Sequence, residues 1–243
     1  MEIHSMANLI ELARKDMCLT TRKPRFRFPL SKELTTDLLL QAYTAQVAAR
    51  GMSFVDDGYV KHYVAEFAAW LTDPAQKNSL MLCGGCGTGK TTLALAFMTM
   101  ANTLSDKAYK IPSIYVERMP MDEQRNIYLM SQFPRVRMYT AQEIADAARR
   151  SKEDRTDEYA IIKRSQFLII DDLGCEPTEV KNFGTSVTPI TDIIYERYAS
   201  MSPTIITSNL DSSQIRTEYN PRVADRLNEI CKVLGYKNDS YRR

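Results

Sequence analysis

The sequence predicts an α/β fold: a mostly parallel sheet with helices on both faces. Three observations lead there. From Asn78 onward, short apolar runs alternate with stretches of helical periodicity. The runs are apolar at consecutive positions, as strands covered on both faces require. Four of the 9 glycines (Gly84, Gly85, Gly87 and Gly89) fall within six positions, between one such run and one such helix.

Taken in order, the elements read as follows. Leu9, Ile10 and Leu12 form a short amphipathic turn, and Pro24 and Pro29 exclude a continuous helix after it. Ser31 caps a helix with Leu38, Ala42, Ala45 and Ala49 on one face, and Gly51 ends it. A second helix runs from Asp57 to Leu71 and closes at Asp73-Pro74. Ser79 to Cys83 is an apolar strand. The helix after Lys90 carries Leu93, Ala96, Phe97, Met100, Ala101 and Leu104 at helical spacing. Residues 105–135 hold three prolines and mixed polarity, and read as an insertion with a short strand at Ile114-Tyr115-Val116. Val136 to Tyr139 is a strand, and Thr140-Ala141-Gln142-Glu143 is a capping box opening a helix to Arg150. Phe167 to Ile170 is an apolar strand ending in Asp171-Asp172. Thr188-Pro189 opens a helix with Ile190, Ile193, Ile194 and Tyr198. Thr204 to Thr207 is a strand ending at Ser208-Asn209. The expected division is an N-terminal module, 1–52, and a larger α/β domain, 53–243.

Composition narrows the function. A chain of 243 residues with 44% hydrophobic and 26% charged residues is globular, not fibrous or disordered. Its longest uncharged run, Thr91 to Ser105, has 15 residues, short of the roughly 18 that span a bilayer. No signal-peptide pattern opens the sequence, and five scattered cysteines argue for a reducing compartment; a cytoplasmic protein is expected. A net charge of +2 argues against nucleic-acid binding by bulk charge alone.

Gly84-Gly85-Cys86-Gly87-Thr88-Gly89-Lys90-Thr91 matches G-x-x-x-x-G-K-[ST] at every fixed position. Glycines let the loop curl so that its N–H groups face phosphate oxygens, and the next helix aims its N-terminus at the same place. Lys90 would reach the β- and γ-phosphates of ATP, Thr91 would ligate Mg²⁺, and Thr92 would add a nucleotide contact. Cys83 and Cys86 form a C-x-x-C, but the other cysteines and both histidines are distant in sequence, so a zinc site is not expected.

Four apolar residues before Asp171-Asp172 have the form of a Walker B strand. Asp171 would hold Mg²⁺ through water, and Asp172 would orient or deprotonate the attacking water. The strand ending in Asn209 would put that amide near the γ-phosphate. Arg222 and Arg226 are four apart and share a helix face, a pairing that suits phosphate charge. Spacing alone favours a plainer reading, a solvated face with Asp225–Arg222 or Glu229–Arg226 pairs.

With these elements in order, the chain resembles the AAA+ ATPases and, within them, the DnaC/IstB group of helicase loaders and transposition ATPases. The residues that carry the resemblance are Gly84–Thr91, Phe167–Gly174, Thr207–Leu210, Arg222–Leu227 and Asp239-Ser240-Tyr241-Arg242. Tyr139–Glu143 also looks like the family's second strand and helix, and the resemblance covers residues 57–243. It implies a P-loop AAA+ core whose lid domain is reduced or absent; the 34 residues after Asn209 are too few for a full helical lid. It implies that Asn209 is sensor 1, that Arg222 is an arginine finger acting on a neighbouring subunit, and that Arg226 is a second arginine facing the γ-phosphate. It further implies an ATP-dependent homo-oligomer that loads a replicative helicase onto single-stranded DNA, or one that directs a transposase to target DNA. The absence of a long basic tail favours the loader. The sequence departs from the family in three places: the 105–135 insertion, the N-terminal module, and Asp172 where glutamate is more usual.

Between Arg14 and Lys32 lie seven basic residues and one acid, interleaved with Phe26 and Phe28. That combination binds single-stranded nucleic acid, or the two rings dock on a partner or on the protein's own core. Docking is the favoured reading.

Overall fold

The computed structural model describes residues 25–152 and 157–242, with Met6, Ile10, Glu11 and Arg14 before them. The turn expected at Leu9, Ile10 and Leu12 lies outside the described residues except for Ile10, which is exposed.

Ser31 caps helix α1 (Lys32–Ala49) by accepting from Leu34 N. The face it buries is Thr35, Leu39 and Tyr43, one position round from the expected stripe, and Ala45 and Ala49 are exposed. Leucine and tyrosine remove more apolar surface from water than alanine, so they set the helix rotation. Helix α2 (Tyr59–Thr72) starts at Gly58, with Asp57 Oδ1 accepting from Tyr59 N.

Strand β1 (Ser79–Gly84) leads through the glycine loop into helix α3 (Lys90–Tyr109). The expected insertion therefore begins inside a helix. Ile114-Tyr115-Val116 is not a strand: it lies in the one-turn helix α4 (Ser113–Val116), followed by α5 (Met121–Ser131). Pro112 and Pro120 sit at the N-caps of these helices, where a missing N–H costs nothing. Met130 and Phe133 anchor the segment in the core.

Strand β2 (Val136–Thr140) feeds α6 (Ala141–Arg150) through the capping box: Glu143 N donates to Thr140 Oγ1 and Thr140 N donates to Glu143 Oε2. Helix α7 (Glu158–Lys163) precedes β3 (Phe167–Leu173). A hairpin of β4 (Val180–Asn182) and β5 (Thr185–Val187) follows, turning at Phe183 (φ 46°) and Gly184 (φ 88°). Helix α8 (Pro189–Ser200), β6 (Thr204–Ser208), α9 (Ser212–Glu218), α10 (Pro221–Ile230) and β7 (Cys231–Tyr236) complete the chain.

Five strands form one sheet in the order β2-β3-β6-β1-β7, with every neighbouring pair parallel. Alternate residues feed two cores. Leu80, Leu82, Phe167, Ile169 and Ile205 face the layer of α1, α2 and α3. Met81, Leu168, Ile170 and Ile206 face the layer of α6, α8 and α10. The α/β architecture with helices on both faces is as the sequence predicts.

Phe26 and Phe28 dock on the protein's own core. Phe26 packs edge-on against Trp70 at 5.3 Å and Phe167 at 5.0 Å, and Phe28 against Phe133 at 5.1 Å between ring centres. Arg25 closes the end of α2, with its guanidinium donating to the carbonyls of Trp70, Asp73 and Lys77. Burial lowers its pKa to about 10. Phe28, Leu39 and Tyr43 share a buried cluster with Phe97 of α3, so packing is continuous across the expected boundary near residue 52. Among the described residues, no helix is long and apolar enough to cross a membrane.

Candidate nucleotide-binding site

The sheet order brings β1, β6 and β3 side by side, so their C-terminal ends share one edge. The glycine loop, Asn209 and the acidic pair meet there. Two glycines in the loop are required sterically. A Cβ on Gly84 (φ 149°) would lie 2.6 Å from Tyr236 O, and one on Gly89 (φ 100°) would lie 2.5 Å from the Tyr43 hydroxyl.

Lys90 Nζ is held at the centre. It donates to Gly84 O and Gly85 O at 2.7 Å each, and to Asn209 Oδ1 at 2.9 Å. Burial lowers the Lys90 pKa, opposed by Asp172 and, more weakly, by Asp171. An ammonium bonded to two carbonyls and an amide oxygen is poised to exchange these partners for phosphate oxygens.

Asp171 is buried and accepts two hydroxyls at Oδ1, from Thr91 at 2.9 Å and Thr207 at 2.6 Å. Burial pushes its pKa up, against those two hydrogen bonds. A carboxylate touching the hydroxyl of the residue after Lys90 is a pair of hard oxygen donors, which fits Mg²⁺ held jointly with nucleotide phosphates. Among the described residues, no group of three or more His, Cys, Asp or Glu is placed to hold a metal ion by itself. Such a Mg²⁺ site needs none, because phosphates and water fill the remaining positions.

Asp172 follows in a left-handed conformation (φ 54°), where the register between β3 and β6 shifts between Ile170 and Leu173. Its N–H donates to Thr207 Oγ1 at 2.9 Å. This bulge separates the two acids: Asp171 is buried, and Asp172 lines the cavity. Gly174 (φ 98°) follows, its N–H donating to Glu176 Oε2, and Glu176 Oε1 accepts from Tyr219. These bonds tie the acidic strand end to the end of α9.

The cavity measures about 270 Å³. It is lined by Gly87–Thr92, Asp172 and Asn209 and by the apolar side chains of Val47, Met52, Phe54, Val55 and Val60. Polar loop groups together with an apolar wall suit a nucleotide, phosphates on the loop and base on that wall. Tyr43 and Arg50 add to this wall, and Arg50 Nη1 donates to Thr92 Oγ1 at 3.0 Å.

No protein-family model matches the chain, and no curated protein matches it. Solved structures do. A structure of the DnaC helicase loader is 19% identical, over 76% of this chain and 92% of that one, with a TM-score of 0.48. A structure of DnaI is 20% identical, over 79% of this chain and 88% of that one, with a TM-score of 0.47. AMPPCP-bound DnaA from Aquifex aeolicus is 18% identical, over 76% of this chain and 49% of that one, with a TM-score of 0.49. The chain is similar to helicase-loader and DnaA structures. What its own site can do rests on the side chains described above.

The structure brings Gly84 to Thr92, Asp171, Asp172 and Asn209 together. It does not bring Arg222 or Arg226 to them: neither lines the cavity. Arg222 is exposed on α10. Arg226 stacks on α8, its guanidinium 3.7 Å from the centre of the Tyr195 ring and 5.2 Å from that of Tyr198. Both lie on α10 four residues apart, as the sequence leads one to expect, and the Arg226 guanidinium is engaged by the two tyrosines. The plainer pairs do not form either: Asp225 bonds Arg216 at 2.6 Å, and Glu229 accepts from Tyr198 at 2.7 Å. Stacking on two tyrosines holds Arg226 in place without a carboxylate.

Sequence reasoning missed Thr207, Tyr43, Arg50 and the apolar wall. Thr207 had a signal only in its place at the polar end of the strand, just before Ser208-Asn209. The others lie far from any motif. If Asp172 is the base that the sequence leads one to expect, Asp172→Asn should lower ATP turnover by about 10²–10⁴-fold with ATP affinity unchanged. Steady-state hydrolysis alongside a binding titration checks this, and wild-type turnover would remove Asp172 from the chemistry.

Proposed function

We propose that this chain is an AAA+ ATPase that loads a replicative helicase onto single-stranded DNA. The carrying observation is the linkage of Lys90 to Asn209 and of Thr91 to Asp171 in one site. These bonds join the phosphate loop, the acidic strand end and the neighbouring strand end, so one bound nucleotide would touch all three. In this reading Gly84–Thr92 hold ATP, Thr91 and Asp171 hold Mg²⁺, and Asp172 and Asn209 position the attacking water. Mg²⁺ would neutralise charge on the transferring phosphoryl group. Arg222, exposed and outside its own cavity, would serve the site of the next subunit in an ATP-dependent oligomer, with Arg226 on the same helix. Residues 53–243 form the ATPase, and residues 1–52 supply the partner contact. The latter also lend Tyr43, Val47 and Arg50 to the nucleotide wall, so partner and nucleotide are physically linked.

The test is gel filtration with light scattering, using the purified chain, a replicative helicase from the same source, and ATP·Mg²⁺ present or absent. A stoichiometric complex remodelled by ATP is expected. Lys90→Ala should keep the complex and lose its ATP response. It removes a charged hydrogen-bond donor to phosphate, worth about 1.5–3 kcal/mol, or roughly 10- to 150-fold in ATP affinity. If no complex forms and the chain alone assembles on DNA with ATP, the transposase-directing role replaces the loader.

A further inference from the structure

The turn that follows the acidic pair is tied down by three contacts. Cys175 N donates to Asp172 O at 3.2 Å, which closes the turn. Ser208 Oγ donates to Leu173 O at 2.7 Å and accepts from Leu210 N at 3.0 Å, which joins it to the residues around Asn209. A Cβ on Gly174 would collide with the Leu210 side chain, so the two strand ends pack with no space between them. The third contact leads away from the cavity. Glu176 is 5% exposed; its Oε2 accepts from Gly174 N at 3.0 Å, and its Oε1 accepts from the Tyr219 hydroxyl.

Burial pushes the Glu176 pKa up, against the bond from Tyr219 and bonds from the backbone N–H groups of Gly174, Cys175 and Glu176 itself. No lysine or arginine among the described residues forms an ion pair with it. A buried carboxylate without a cation depends on its O–H and N–H donors, and such charge-assisted bonds are about twice as strong as neutral ones. Tyr219 ends α9, and the next residue, Asn220, caps α10: its Oδ1 accepts from Val223 N at 2.9 Å. Arg222 lies inside that capped turn, between Asn220 and the buried Val223. Neither Glu176 nor Tyr219 lines the cavity, so neither meets a nucleotide directly.

We propose that Glu176 and Tyr219 are positioning residues: their bond fixes the first turn of α10, and with it the reach of Arg222, to the acidic strand end of the same subunit. The inference rests on the reading of Arg222 as a finger for the next subunit. It deepens that reading by joining the two sites that each subunit serves. A shift at Asp172 when its own nucleotide is hydrolysed would pass through the turn to Glu176 and Tyr219, and so alter the finger offered to the neighbour.

The experiment is ATP turnover of the assembled full chain, for wild type, Tyr219→Phe, and Tyr219→Phe mixed with Asp172→Asn or with Arg222→Ala. Tyr219→Phe keeps the ring and removes the O–H. It should lower turnover by about 10- to 10²-fold, the cost of misplacing a reacting group by about 1 Å, with ATP affinity of the isolated subunit unchanged. A misplaced finger is a defect that the neighbour feels. Mixing with Asp172→Asn supplies sound fingers to sound acids, so activity should return, and its return also shows that the variant folds and assembles. Mixing with Arg222→Ala supplies no sound finger and should restore nothing. Recovery with Arg222→Ala in place of Asp172→Asn would assign the pair to its own subunit's acid and overturn the proposal. Wild-type turnover in Tyr219→Phe, or no recovery with either partner, would overturn it too. Wild-type turnover in Arg222→Ala alone would instead overturn the reading of the finger.

Discussion

Arg222→Ala should lower ATP turnover in the assembled protein by about 10³–10⁵-fold, the worth of an arginine supplied to a transferring phosphoryl group. ATP affinity of the isolated subunit should not change, because Arg222 is exposed and outside its own cavity. Mixing supplies the deciding control. Arg222→Ala and Asp172→Asn subunits are each inactive alone in this reading. A mixed oligomer contains interfaces where an intact finger meets an intact acid, so part of the activity should return. Wild-type turnover in Arg222→Ala would remove the finger. No recovery on mixing would place its action within its own subunit, against the geometry of α10. Arg226→Ala gives a contrasting expectation: with its guanidinium stacked on Tyr195, its loss should show first in the packing of α10 on α8.

Phe28→Ala should destabilise the whole α/β domain by about 3–5 kcal/mol, the cost of emptying a fully buried aromatic site. Against a total of about 5–15 kcal/mol for a domain, that is a large fraction. The reason lies in its neighbours. Phe28 packs on Phe97, in the helix that follows the phosphate loop, and on Phe133. Urea unfolding followed by the fluorescence of Trp70, the single tryptophan, reports on the same cluster. One transition, shifted to lower urea and moved back by ATP, is expected. A separate early transition that carries the whole effect, with the ATP-protected transition unmoved, would show that the N-terminal residues fold as an independent unit.

The elements that were legible are those whose signal is local. The β1–loop–α3 unit, the capping box at Thr140 and the strand ending in Asp171-Asp172 each lie within a short window of sequence, and the structure has all three. Strand β7 was missed because it is an edge strand: Lys232 and Gly235 interrupt its apolar pattern, and one side has no partner strand. The hairpin β4–β5 was missed because its turn is Phe183-Gly184, with phenylalanine in a left-handed position that Asn or Asp usually fills. The helix α4 was taken for a strand because isoleucine, tyrosine and valine favour strands; the prolines on either side allow only a short helical turn before each next start.

The candidate nucleotide site is written locally, in the spacing of Gly84 to Thr91 and in the acids after Ile170. Glycine backbone freedom and strand burial act over a few residues, so their pattern survives in a linear reading. The walls of the site are not written that way. Tyr43 beside Gly89, Thr207 on Asp171, Arg50 on Thr92 and Arg242 on Cys86 are contacts between distant segments. So is the stacking of Arg226 on Tyr195 and Tyr198. Each is set by how the two helical layers close on the sheet, and that packing depends on the summed burial of many side chains, with no short pattern to announce which of them will meet.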